Sequence, residues 1–204
     1  GRPVKIEGND QCTISGGNTL TMVAGTGTCS VYATKAADAN YSAAISATVD
    51  IAAAKASATC AITGASVVYD GAPHGATGSC TGVAGETLAG LGLGASFTDV
   101  PGGTAAWTFT DVTGNYADAS GSADITIAKA DTVTVVTCGV GPFTYTGSAQ
   151  APCSASVTGP GGLDSVLTVA YLDNTNAGTA TAGATYPGDA NRNTSAHSAT
   201  FQIG

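Results

Sequence analysis

The sequence predicts an all-β protein built of small two-sheet sandwiches in tandem, the first of them partial. Three observations carry this. Val, Ile, Thr and Tyr alternate with other residues in short runs punctuated by Gly, Asn and Asp, which is the pattern of many strands joined by turns. Leu and Met are scarce while Ala, Gly, Ser and Thr dominate, so the chain lacks the straight-chain residues that long amphipathic helices need. Finally, a short signature recurs as Asp38-Ala39-Asn40-Tyr41, Gly114-Asn115-Tyr116 and Gly188-Asp189-Ala190-Asn191-Arg192.

The signature sets the domain plan. Its asparagines, Asn40, Asn115 and Asn191, stand 75 and then 76 positions apart, and a period of that size marks copies of one folding unit. Each copy leads into an alternating strand: Val49-Asp50-Ile51, Ala123-Asp124-Ile125-Thr126-Ile127, and Ala199-Thr200-Phe201-Gln202-Ile203. The first two strands run on into Lys55-Ala56 and Lys129-Ala130, and the third reaches Gly204 where such a pair would stand. The expected modules are therefore a partial one at 1–54 and complete ones at 55–129 and 130–204. No linker residues intervene, so neighbouring modules should be closely joined.

Within 1–54, strands are expected at 4–6, 12–14, 20–23 and 29–33, with turns at Gly8-Asn9-Asp10 and Gly16-Gly17-Asn18. This segment aligns with the second half of the later modules through Gly27-Thr28, Gly103-Thr104 and Gly178-Thr179. Its opening strands are thus missing or supplied from elsewhere, and such an open edge invites pairing. Within 55–129, strands are expected at 59–62 and 67–69, then a Tyr69-Asp70-Gly71 turn, then 77–83, a flexible glycine-laden loop over 85–92, and strands at 95–98 and 104–110. Trp107 and Phe109 lie two apart, share a face and should fill the core. The third module repeats the plan at 132–136, 143–145, 154–158, 165–171, 179–184 and 200–203.

The six cysteines fall two to a module: Cys12 and Cys29, Cys60 and Cys80, Cys138 and Cys153. In an antiparallel hairpin the indices of paired residues have a constant sum, so the midpoint of a bonded pair marks the turn. For Cys60 and Cys80 the midpoint is Asp70, and for Cys138 and Cys153 it falls between Tyr145 and Thr146. Both pairs centre on a Tyr-x-Gly turn, which predicts cross-strand disulfides. No Cys-x-x-Cys spacing points to a metal. An even count at such positions implies an oxidising, extracellular or cell-surface setting. Cores of this size are marginal, so a bond contributing on the order of 2–4 kcal/mol matters.

Charged residues are 10 % of the chain, and the net charge is −8 with six Lys and Arg. No basic stripe exists for phosphate, which excludes nucleic acid as an expected partner. No run of about 18 apolar residues appears, so no membrane insertion is expected in this segment. The opening Gly1-Arg2-Pro3-Val4 reads as an interior fragment or a processed start. The histidines, His74 beside a turn and His197 in a polar stretch, lie in no His-Glu-x-x-His or Gly-x-Ser-x-Gly pattern. The acidic residues are scattered, so no paired-carboxylate site can be placed. The chain is read as carrying no catalytic residue and no cofactor.

Oxygen ligands for calcium exist in equivalent loops: Asp38 with Asn40, Asp111 with Asn115 and Asp118, and Asp189 with Asn191. The same residues suit turns, whose backbone their side chains cap. That reading is preferred, and no metal is assigned. Tyr69 and Tyr145 are expected to pack at their turns with hydroxyls to solvent, rather than to form a sugar platform.

Tyr69-Asp70-Gly71-Ala72-Pro73-His74-Gly75-Ala76-Thr77-Gly78, Phe97-Thr98-Asp99-Val100-Pro101-Gly102-Gly103-Thr104 and Ile127-Ala128-Lys129-Ala130 resemble the MBG-type bacterial immunoglobulin-like repeats. So do Tyr145-Thr146-Gly147-Ser148-Ala149-Gln150, Asn174-Thr175-Asn176-Ala177-Gly178-Thr179-Ala180 and Tyr186-Pro187-Gly188-Asp189-Ala190-Asn191. The first segment is similar to related repeats of large secreted bacterial proteins. The resemblance implies tandem immunoglobulin-like modules without shared catalytic residues. One departure is Arg192, where the other copies carry Tyr41 and Tyr116; a corner filled by Tyr must there be filled differently.

The expected function is that of a non-catalytic extracellular spacer or stalk in a repetitive bacterial surface protein or filament. Its partners would be neighbouring modules or copies of the same protein, with assembly by strand complementation through the first module. The alternatives are an adhesive or carbohydrate-binding module, meeting cell-surface glycans through loops 85–92 or 159–162, and an accessory domain of a secreted enzyme.

Overall fold

A computed structural model describes residues 3–204, and among these there are strands, turns and bridges but no helix. The first stretch holds β1 (Val4–Gly8), β2 (Cys12–Ser15), β3 (Thr19–Met22), β4 (Thr28–Lys35), β5 (Ala44–Ile45) and β6 (Val49–Ala52). The middle holds β7 (Ala56–Ser57), β8 (Thr59–Thr63), β9 (Ala65–Val68), β10 (Thr77–Thr81), β11 (Thr87–Leu88), β12 (Leu91–Gly92), β13 (Gly102–Phe109), β14 (Tyr116–Ala117) and β15 (Ala119–Ala128). The last holds β16 (Val133–Cys138), β17 (Cys153–Gly159), β18 (Leu163–Leu167), β19 (Ala170–Leu172), β20 (Gly178–Tyr186) and β21 (Ser195–Ile203). The chain divides into two compact units. Unit one is Gly1–Ile62, Thr77–Leu93 and Ala106–Ser122; unit two is Thr63–Ala76, Gly94–Ala105 and Ala123–Gly204.

In unit one, β4 is the centre of a sheet, paired antiparallel with β1 on one side and with β5 and β6 on the other. The β2–β3 hairpin is tied to β4 by the Cys12–Cys29 disulfide, Cα–Cα 5.6 Å. A Cβ on Gly8 would lie 2.8 Å from Cys12 Sγ, so the close approach of sheet and sulfur needs glycine there. Cys12 and Cys29 are the only buried residues of this first stretch among the described residues, and Val4, Ile6, Ile45, Val49 and Ile51 stay exposed. It is a sheet held by sulfur rather than by a core.

Elsewhere in unit one, β8, β10 and β11 form one sheet, and Leu91 on β12 pairs with Phe109 on β13. Cys80, Phe109 and Tyr116 form the buried cluster, with Cys60, Leu88, Leu91 and Trp107 packed against it. Phe109 is fully buried, and Trp107 on the same face closes the cluster's edge. The segment 85–92, expected as a flexible loop, instead holds two short strands, because Leu88 and Leu91 reach this core opposite Cys80 and Phe109. Alternating glycines hid the two leucines that anchor it.

Unit two contains a complete two-sheet sandwich. One sheet is β16–β17–β18 and the other β19–β20–β21. Val136 and Ala155 from the first meet Ala180, Ala182, Ala184, Phe201 and Ile203 from the second. Phe201 is gripped edge-on by Phe143 and Tyr171, with centroids 5.8 and 6.1 Å away. Along the seam, the Thr132 and Thr134 hydroxyls each meet the Ser195 hydroxyl at 2.7 Å, which satisfies polar groups the core would otherwise strand.

The disulfides Cys60–Cys80 and Cys138–Cys153 join neighbouring strands of one sheet, with Cα–Cα 4.0 and 3.9 Å, and Cys138 faces Cys153 directly. The stretch between the partners, however, is no simple hairpin turn. In the last copy, Phe143 leaves the β16 sheet and bridges in parallel to Ile203 on β21, before the chain returns as β17. Likewise β9 pairs in parallel with β15. Residues 95–98, expected as a strand, contribute only the single bridge of Phe97 to His74.

Candidate functional site: the asparagine clasps

Each recurring asparagine sits on a turn organised by an aspartate. The Asp111 carboxylate accepts the N–H groups of Thr113 at 3.1 Å and Tyr116 at 2.8 Å, together with the Thr113 hydroxyl. Gly114 adopts φ +80°, a left-handed conformation that favours glycine. The turn presents Asn115, whose Oδ1 accepts the Gly25 N–H at 2.8 Å and whose carbonyl accepts the Ala56 N–H at 2.9 Å.

The third copy repeats this arrangement with different residues. Asp189 accepts the Asn191 N–H at 2.8 Å and, on its other oxygen, the Tyr186 hydroxyl and Arg192 Nη1, both at 2.7 Å. Asn191 Oδ1 accepts the Val100 N–H at 2.9 Å, and its carbonyl accepts the Ala130 N–H at 3.0 Å. Its Nδ2 also donates to Asp99 at 2.7 Å, and Lys129 Nζ donates to the Asp189 carbonyl. In both places the asparagine side chain accepts a backbone N–H 90 or 91 positions earlier in the chain, and its carbonyl accepts the N–H of the alanine in a Lys-Ala pair. Gly25 lies two residues before Gly27-Thr28 and Val100 three before Gly103-Thr104, so neither the asparagines nor a shared spacing named them in the sequence.

The following residue latches a second loop. The Tyr116 hydroxyl accepts the Val83 N–H at 3.2 Å and donates to Glu86. Arg192 instead donates to the carbonyls of Pro160 at 2.8 Å and Gly161 at 3.2 Å, and its guanidinium lies 5.0 Å from the Tyr69 ring. The substitution therefore keeps the latch and reverses its polarity, from a hydroxyl that both accepts and donates to a purely donating fork. Tyr69, expected with its hydroxyl in solvent, is buried beneath that arginine, whereas Tyr145 is exposed. Glu86 lies in the segment 85–92 and Val83 just before it, while Pro160 and Gly161 lie in the loop 159–162. A shallow depression of about 740 Å³ lies elsewhere, among Thr168, Gly183, Thr185 and His197.

At the first asparagine the turn forms, but among the described residues it grips no other loop. Asp38 accepts the N–H groups of Asn40 and Tyr41, each at 3.0 Å. The Asn40 side chain has no hydrogen bond among the described residues, and Tyr41 is exposed beneath Lys35 Nζ, 4.9 Å from its ring centre.

Of the residues considered for calcium, Asp38, Asp111, Asn115, Asp118, Asp189 and Asn191 each accept a hydrogen bond on a side-chain oxygen, Asp118 from the Asp111 N–H at 3.2 Å, while the Asn40 side-chain oxygen accepts none among the described residues. Among the described residues no three His, Cys, Asp or Glu side chains gather as a metal group. His74 Nε2 lies 2.9 Å from Asp70 Oδ1, and His197 Nδ1 accepts the Val136 N–H at 3.0 Å.

The turns predict an acid sensitivity. Partial desolvation pushes Asp111 up, but the N–H groups of Tyr116, Thr113 and Asn115 outweigh it and hold the pKa at about 2. The Tyr186 hydroxyl, with Arg192 and the Asn191 N–H, overcomes desolvation to hold Asp189 at about 2. A carboxylate depressed in the folded state stabilises above its unfolded pKa, near 3.8, and that contribution fades as pH falls toward 2. The urea midpoint should therefore drop between pH 4 and pH 2 in both units. Asp111→Asn should flatten that drop in unit one and Asp189→Asn in unit two; an unchanged pH profile in either variant would count against this assignment.

The three disulfides point to a secreted or extracellular domain. No helix is long and apolar enough to cross a membrane, among the described residues. No family model and no curated protein matches the chain. Among solved structures it is similar to the immunoglobulin domains 1–5 of Sidekick-1, at 13 % identity over 99 % of this chain and 54 % of that one, with a TM-score of 0.22. The chain thus spans about half the length of that structure, and an overlay so loose carries no argument. The all-β assignment stands on the strand pairing and the facing sheets of this chain alone.

Proposed function

We propose that the chain is a non-catalytic extracellular spacer, three modules at 1–54, 55–129 and 130–204 of a repetitive bacterial surface protein or filament. In this reading the recurring asparagine locks each module to the one before it. The observation that carries it is the repetition of one bonding scheme: Asn115 with Gly25 and Ala56, Asn191 with Val100 and Ala130. A side chain that grips the preceding loop while its own backbone holds the junction removes the freedom of a hinge at small cost, because the asparagine is pre-set by its turn. The disulfides serve the same end by holding small cores closed. The partners are neighbouring modules or copies of the protein, joined through the open first module.

Asn191→Ala tests this. It leaves the half-buried Val100 N–H without its acceptor and removes the bond to Asp99, an expected loss of about 2 kcal/mol. Amide exchange at Val100 and Ala130 should quicken while the β16–β17 ladder keeps its protection. Unchanged exchange at both amides would remove the lock, and with it the support for a spacer.

A further inference from the structure

One sheet edge in the first copy lacks the strand that covers it in the other two. Aligning Lys55-Ala56 with Lys129-Ala130 sets Ile51, Ala52, Ala53 and Ala54 against Ile125, Thr126, Ile127 and Ala128. The third copy continues the series with Phe201, Gln202, Ile203 and Gly204. The geometry agrees at two independent points. Ser30 Oγ donates to Asp50 at 2.6 Å as Thr104 Oγ1 does to Asp124 at 2.8 Å. The Ala53 N–H donates to the Gly27 carbonyl at 2.9 Å as that of Ile127 does to Pro101 at 3.0 Å.

On the far side of these strands the copies part. β15 carries β9 in parallel, with Val67 opposite Ile127 and the Tyr69 N–H donating to the Ala128 carbonyl at 2.9 Å. β21 carries Phe143 opposite Ile203 in the same register. There the Phe143 N–H donates to Gln202 at 2.8 Å, the Gly204 N–H to Phe143 at 2.9 Å, and the Tyr145 N–H to Gly204 at 2.8 Å. β6 pairs with β4 alone, and neither backbone group of Ala54 has a backbone partner among the described residues. Exposure follows the missing strand: Ile125 is 2 % exposed and Phe201 5 %, but Ile51 is 39 %. The edge has no lysine or proline in β6 to discourage pairing, and its one charge, Asp50, is engaged by Ser30. The two covering segments share a pattern: Val67-Val68-Tyr69-Asp70-Gly71 and Phe143-Thr144-Tyr145-Thr146-Gly147 both read apolar-x-Tyr-x-Gly.

We propose that the open edge of β6 and Ala53-Ala54 binds an extended apolar-x-Tyr-x-Gly segment in parallel, its apolar residue opposite Ala53. The proposal rests on the tandem-module reading above and names the partner that the first module takes. The donor's apolar residue gives its N–H to the Ala52 carbonyl and takes the Ala54 N–H on its own carbonyl, and the tyrosine N–H goes to the Ala54 carbonyl. This is strand addition, in which backbone bonds supply affinity and the alternate side chains supply specificity. Both covering segments are already engaged, and Ala184-Thr185-Tyr186-Pro187-Gly188, which fits the same letters, is held in β20 against β21, so the donor comes from outside the described residues.

The test places a donor within reach. An additional copy of the 141–148 sequence is fused ahead of the full chain through a Gly/Ser linker of about 15 residues, whose mean reach of roughly 20 Å spans the three strands of the sheet and makes the encounter intramolecular. Exchange of the Ala54 amide should slow at least about tenfold, and a fusion with proline in place of the donor phenylalanine should exchange at the parent rate. Parent-rate exchange in the first fusion overturns the proposal, as does equal slowing in the proline version. The Ala56 amide, held by Asn115, separates this failure from that of the spacer reading: its protection in the parent chain tests the clasp and is independent of any donor.

Discussion

Replacing Cys60 and Cys80 together by serine is expected to cost unit one about 3 kcal/mol, from the chain freedom restored to the unfolded state across a separation of 20 residues. The folded side adds to the loss. Cys80 is fully buried beside Phe109 and Tyr116, so a serine there places a hydroxyl in an apolar cluster. Urea unfolding followed through Trp107 fluorescence reads the effect, and a change below about 0.5 kcal/mol, the scatter of ordinary surface substitutions, would mean that the bond does not support the fold. The cluster around it is small, which is why one covalent link carries so much of the stability.

Gly25→Ala should be of similar size, about 3 kcal/mol, at the upper end of what overpacking costs. A Cβ at this position would lie 2.6 Å from the Asn115 carbonyl oxygen and 2.7 Å from its Cα. Those are backbone atoms and cannot swing aside as a long side chain would. Either the Gly25 loop lifts, which breaks its bond to Asn115 Oδ1, or the Asn115 carbonyl moves away from Ala56. The Ala56 amide should then exchange about a hundredfold faster, since each 1.4 kcal/mol is a factor of ten. Val100 occupies the corresponding place on Asn191 and carries a side chain already, so Val100→Ala should leave the Ala130 amide protected. Equal effects of the two substitutions would show that close backbone contact is not what the glycine provides.

Much of this chain was legible before any coordinates. Two of the three cysteine pairs followed from symmetry: partners in antiparallel strands bracket a common centre, and Tyr69-Asp70-Gly71 and Tyr145-Thr146-Gly147 supplied it, although the chain between them detours to a parallel partner before returning. Cys12 and Cys29 were paired only by lying in one segment. The strands followed from alternation. The asparagine signature stood out by its period, and its aspartates were readable as turn-formers because a carboxylate close to several N–H groups caps them. The departure at Arg192 was visible as well. That it preserves a latch was not, since the Pro160 and Gly161 carbonyls it meets lie far away in the chain.

The remaining differences have one cause. Residues 67–69 and 143–145 alternate as any strand does, and alternation records which side chains share a face without recording which sheet the strand joins. The segment 85–92 looked like a loop because glycine dominates it, yet Leu88 and Leu91 find a core provided by distant strands. Composition and spacing alone therefore determined that this protein is all-β and sulfur-bridged, because those properties follow from local backbone preference and from counting. Which loop each asparagine grips, and which edge is left open, was decided only in three dimensions, because a hydrogen bond between residues 90 or 91 positions apart leaves no local trace in either partner.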